Sequence, residues 1–201
     1  MSEATPANSV SAGAAETAEG GSAGAAGEAT SAVAETCAAG NSGADSDVAG
    51  AAQTGELVKI IDSGPMIVAT VFLPDCEPGR ALAAFTDPAV LVCWWRGELT
   101  VDLVAGGQYS VSFPAVPARL AGHLVSYVPG ISLEFSWVWD GDDGPPSTVT
   151  VRAAVAEDER SAVLTIEHGP HGEDEAGRIA HAEHWAGWEF FLPRLPAAVS
   201  G

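Results

Sequence analysis

The chain has 201 residues, with 27 acidic side chains against 8 basic ones and a formal charge of −19. One lysine and seven scattered arginines cannot supply the clustered cations that phosphate backbones or anionic lipid surfaces attract, so neither nucleic-acid binding nor membrane binding is expected. No run of about 20 apolar residues is present, so no spanning helix is expected either.

Residues 1–55 carry seven acids and no Lys or Arg, and consist mostly of Ala, Gly, Ser, Thr and Glu. A segment without aromatics and with so few branched aliphatics buries too little apolar surface to offset its ordering entropy. A disordered acidic tail is therefore expected over 1–55, and a folded domain over 56–201. Gly20-Gly21-Ser22-Ala23-Gly24 fits a hydrolase G-x-S-x-G pattern, but it lacks the flanking strand and helix which that motif requires. No secretory signal is visible at the N-terminus. The three cysteines, Cys37, Cys76 and Cys93, lack metal-ligand spacing; free thiols in a reducing cytoplasm fit best.

From Glu56 the texture changes. Leu57–Asp62 and Met66–Leu73 read as strands, the second rich in Val, Ile and Thr. Glu77–Phe85 reads as a short helix. Asp87 with Pro88 forms a helix-start signal for a second one through Trp95. Six strand-length runs follow: Glu98–Leu103, Gln108–Phe113, Arg119–Val128, Ser132–Trp139, Ser147–Val155 and Ala162–His168. Turn signals at Gly106-Gly107, Pro129-Gly130 and Gly141–Pro146 punctuate them. Within each run alternate residues are apolar, as in Leu133, Phe135, Trp137 and Trp139, which predicts an antiparallel meander with one buried face. In Arg119–Val128 the inward set reads Leu120, Leu124 and Val128. Asp174–Leu192 closes the fold as a helix on which His181, His184, Trp185, Trp188, Phe191 and Leu192 form one stripe, and Pro193 and Pro196 end it. The expected class is α+β: a curved antiparallel sheet around a long C-terminal helix, with two short helices after the first core strand.

Five local patterns occur in this order: Glu77-Pro78-Gly79-Arg80 through Ala84-Phe85-Thr86-Asp87-Pro88 and Trp94-Trp95; Gly106-Gly107-Gln108-Tyr109; Leu133-Glu134-Phe135-Ser136-Trp137; Leu164-Thr165-Ile166-Glu167-His168; and His184 through Leu195. Together they resemble a subfamily of the START-like (SRPBCC) superfamily, similar to the C-terminal domain of the activator of the heat-shock protein 90 ATPase. The resemblance spans roughly residues 66–196. It implies a helix-grip fold with a hydrophobic cavity between sheet and closing helix, used for small apolar or amphipathic molecules.

The residues agree with such a pocket. Trp94, Tyr109, Phe113, Phe135, Trp137, His168, His184, Trp185, Trp188 and Leu192 are the expected lining, with His168 or His184 as polar anchor. The alternative is that the same aromatics form a filled core. The i, i+3 spacing of His181 and His184 permits a shared ligand but is not the i, i+4 pair of the H-E-x-x-H zinc motif, and no carboxylate pair converges, so no catalytic residue, metal ligand set or cofactor is assigned. Cys93 reads as a packed thiol. The expected function is ligand binding in the cytoplasm. An enzyme of polyketide-cyclase or aromatase type using a pocket histidine, and a co-chaperone-like interaction module, are the alternatives.

Overall fold

The computed structural model describes residues 57–200, apart from 116, 142 and 143. The expected tail, with Cys37, lies outside the described residues. Strands β1 (Val58–Ser63) and β2 (Met66–Leu73) form a hairpin. Helices α1 (Pro78–Thr86) and α2 (Pro88–Trp95) follow, then β3 (Glu98–Val101), β4 (Gln108–Phe113), β5 (Ala118–Val128), β6 (Ser132–Trp139), β7 (Ser147–Val155) and β8 (Ala162–Gly169). Helix α3 (Glu175–Phe191) leads through a 3₁₀ turn, Leu192–Arg194, into α4 (Leu195–Val199). This is the anticipated order of elements.

The strands form one antiparallel sheet of eight, in the order β1-β2-β8-β7-β6-β5-β4-β3. Its first and last core strands are closed by β8 pairing with β2, from Ile67 opposite His168 to Leu73 opposite Ala162. Alternation sets the buried face: Ile67, Ala69, Val71 and Leu73 on β2, Val149 and Val151 on β7, and Leu164 and Ile166 on β8 are almost fully buried. Each Leu or Ile so buried contributes about 1.5–3 kcal/mol.

One strand departs from the simple alternation. The pairing of β5 with β6 shifts register between Leu124 and Ser126. A bulge inserts one residue, so the faces exchange beyond it. Leu120 and Leu124 point inward as expected, but Val128 is exposed and Tyr127, opposite Leu133, packs on the core instead. β3 stops at Val101, two residues short of the expected Leu103, which is exposed, as is Val155 at the end of β7.

Asp87 caps α2, its carboxylate accepting from Ala89 N at 2.9 Å, and Asp174 caps α3 by accepting from Gly177 N at 2.9 Å. The orphan carbonyls at the end of α1 are met by side chains. Trp94 Nε1 donates to Ala84 O and the Tyr109 hydroxyl to Phe85 O, each at 2.9 Å. Arg80 Nε donates to Val199 O at 2.6 Å, tying α1 to the end of α4. Cys93 is exposed rather than packed, because the buried side of the short α2 is taken by Leu91, Trp94 and Trp95.

Candidate functional site

The inner faces of β4, β6 and β8 meet α2 and α3 over a continuous group of rings. Trp137 is at its centre, with ring centroids 5.5 Å from Trp95, 5.7 Å from Trp188, 5.7 Å from Trp139, 4.8 Å from His168 and 5.2 Å from His184. Trp95 in turn stacks on Trp94 at 5.1 Å and meets Phe113 edge-on. Tyr109 stacks on Phe135 at 3.9 Å. Leu192 is fully buried, and Trp185 is part-buried beside His181. Trp95 was not among the anticipated lining residues; adjacent on a helix to Trp94, it falls about 100° round the axis, yet α2 is short and apolar enough to bury both.

The polar end of this group is a set of histidines. His168 ends β8 facing inward. His171 follows in the β8–α3 loop, and His181 and His184 stand on α3. The loop is pressed onto the β1–β2 turn: His171 N donates to Pro65 O at 2.8 Å, and Gly169 has φ +148 with a Cβ position 2.6 Å from Pro65 O, so only glycine fits.

Indole N–H groups fix the tautomers, because they can only donate. Trp188 Nε1 donates to His168 Nδ1 at 3.1 Å, so His168 carries its proton on Nε2 and donates to Ser147 Oγ at 2.9 Å. Trp139 Nε1 donates to His184 Nε2 at 3.3 Å. His184 Nδ1–H therefore donates to His171 Nε2 at 2.8 Å, and His171 Nδ1–H donates to Pro65 O at 3.2 Å. The result is a directional chain from Trp139 through two neutral imidazoles to a backbone carbonyl.

The electrostatics agree. Burial, then the neighbouring imidazoles of His184, His171 and His181, hold His168 well below the usual imidazole range. Burial first, then His171 and His181, brings His184 down to about 3. His171 is also lowered, chiefly by burial, although its bond to Pro65 O works the other way. Burial pushes the Tyr109 phenol up, so it stays a donor.

Among the described residues, two buried side-chain nitrogens have no hydrogen-bond partner: Trp137 Nε1 and His181 Nε2, the latter 3.8 Å from Asp62 Oδ1. The protonated Nε2 of His168 cannot deprotonate Ser147, so that pair is no nucleophile–base dyad. His171 escaped the sequence reading because it lies in a Gly-Pro-His-Gly loop outside any periodic element. Its nearness to His168, three residues earlier, was the available signal.

This architecture defines a START-like helix-grip domain. Residues 75–200 match the family described as activator of Hsp90 ATPase homolog 1-like protein, and the chain belongs to that family. Among solved structures it is similar to CalU16 from Micromonospora echinospora, at 24% identity and TM-score 0.52 over 68% of this chain and 74% of that one. It is also similar to an HSP90 activator from Plasmodium falciparum, at 24% identity and TM-score 0.53 over 64% and 91%. A protein from Rhodobacter sphaeroides matches at 21% identity and TM-score 0.58 over 72% and 99%. These likenesses show the fold. Curated proteins give no match. Among the described residues no helix is long and apolar enough to cross a membrane.

Proposed function

We propose that this domain binds a small, flat, largely apolar molecule carrying a hydrogen-bond acceptor, held between the sheet and α3. The supporting observation is Trp137. It is 7% exposed and its Nε1–H is buried without an acceptor, in the middle of an aromatic group otherwise well matched in its polar atoms. An unmet buried donor costs about 1–3 kcal/mol, which an acceptor on a ligand would recover. Entry lies along α3, whose N-terminal half is part-exposed at His181, His184 and Trp185 while Trp188 and Phe191 are buried. Separation of Trp188 from Trp137 opens a slot with stacking faces on both sides. Behind these rings Trp94 stacks on Trp95 and Tyr109 on Phe135, their polar atoms bonded to α1. Cys76 and Cys93 are free, which fits a reducing cytoplasm.

The test is native mass spectrometry of the purified protein, with organic extraction of the same sample. A small molecule that leaves on activation, and is lost from Trp137→Phe, supports the reading. An apo mass after exposure to aromatic ketones and quinones counts against it. A protein-partner role has one observation in its favour, the exposed Val104, Val125, Val128 and Ile131. An apo protein that comigrated with purified Hsp90 would favour that role.

A further inference from the structure

We propose that His171, His184 and His168 form a binding site for a divalent transition-metal ion of the imidazole-preferring class, with Zn²⁺ as its representative. Ring nitrogens of the three lie within 4.8 Å of one another. They come from three different segments: the end of β8, the following loop and α3. Imidazole suits Zn, Cu and Ni rather than Ca or Mg.

The surroundings of His171 fit this use. A metal-bound imidazole characteristically donates its other N–H to a carboxylate or carbonyl, which fixes the ring. His171 Nδ1–H already donates to Pro65 O, leaving Nε2 to face His184. In a tetrahedral site with Zn–N of about 2.0–2.1 Å, ligand nitrogens lie roughly 3.3–3.4 Å apart. His171 Nε2 and His184 Nδ1, now 2.8 Å apart, need to open by about half an ångström. The ion then replaces the proton between them. That proton moves to His184 Nε2, and the part-exposed Trp139 gives up its bond there. His184 stays neutral, so no proton is released. His168 completes the set through Nδ1, its acceptor nitrogen, which gives up the bond from Trp188 Nε1 while Nε2–H keeps its bond to Ser147 Oγ.

An entry path exists. A cleft of about 360 Å³ opens beside His171, lined by Asp62, Gly64, Pro65, Glu173, Arg178 and His181. Its carboxylates attract cations, and Arg178 is turned to the Glu173 carbonyl. His181, with its ring 5.0 Å from His171 and a buried, unpartnered Nε2, stands between this mouth and the three ligands.

The experiment is calorimetric titration of the full, chelator-stripped chain with Zn²⁺, and optical titration with Co²⁺. One equivalent with micromolar or tighter affinity is expected, together with tetrahedral Co²⁺ absorption. His171→Ala should weaken binding by about 100-fold or more, while His123→Ala, in an exposed strand position, should leave it unchanged. Circular dichroism checks that the variants fold. If His171→Ala does not fold, imidazole ¹⁵N spectra of the wild type decide: zinc must move His171 and His184 and leave His123 in place. No binding below millimolar zinc would overturn the proposal. So would affinity unchanged in folded His171→Ala, or zinc-induced shifts elsewhere.

Discussion

Acidification from pH 7.5 to 5.5 should destabilise this domain, and the size of the loss follows from its histidines. His168 and His184 are neutral in the folded chain, with pKa values well below the range and about 3 respectively. Unfolded, each returns to about 6.5. A lowered folded pKa means that the unfolded state binds the extra proton, so stability is full above pH 6.5 and falls as pH drops toward the folded value. Over this window each histidine costs on the order of 1 kcal/mol, and the pair roughly 2–3 kcal/mol. His171 adds in the same direction. For a domain of this size the pair corresponds to roughly 5–10 °C in Tm. Relief of the −19 charge would act the opposite way. The assay is urea unfolding at five pH values with a chelator present, fitted for midpoint and slope. His184→Gln should reduce the pH dependence by about one histidine's share. Stability constant within about 0.5 kcal/mol from pH 7.5 to 5.5, or rising on acidification, would refute the neutral-histidine assignment.

Other substitutions test the scaffold. Gly122→Ala places a Cβ 2.0 Å from Ser136 O, a backbone atom that cannot yield cheaply, and should cost about 1–3 kcal/mol in chemical denaturation. Asp87→Ala removes the cap of α2 and should cost about 1 kcal/mol in the same assay. Cys93 should label with a thiol reagent in the native protein while Cys76, buried and with its thiol pushed up chiefly by burial, should label only on unfolding; peptide mass spectrometry reads both.

Much of this architecture was legible because one side of every strand is buried. Leu133, Phe135 and Trp137 alternate with polar neighbours, and that period fixes β6 without knowledge of its partners. The cap Asp87 was equally local. Val128 failed because a bulge is a property of two strands, and β5 alone carries no mark of it. Cys93 failed because α2, apolar nearly all round, has no clear period to say which side is out. The site was legible in its rings but not in its wiring. Strand parity put His168 inside and helical spacing joined His184 to Trp188. That His184 bonds to a loop histidine and to Trp139, 45 residues away, depends on how α3 is laid across the sheet.

The central claim is that a small molecule enters the aromatic group and takes the unmet donor of Trp137. The most direct measurement is the indole ¹H–¹⁵N spectrum, in which six tryptophans give six resonances, recorded before and after addition of the molecule extracted from the purified protein. The account predicts that the Trp137 resonance moves downfield on formation of its hydrogen bond, with ring-current shifts at Trp95 and Trp188. Six unmoved indole resonances at saturating ligand, with changes confined to amides on the outer face of the sheet, would contradict it.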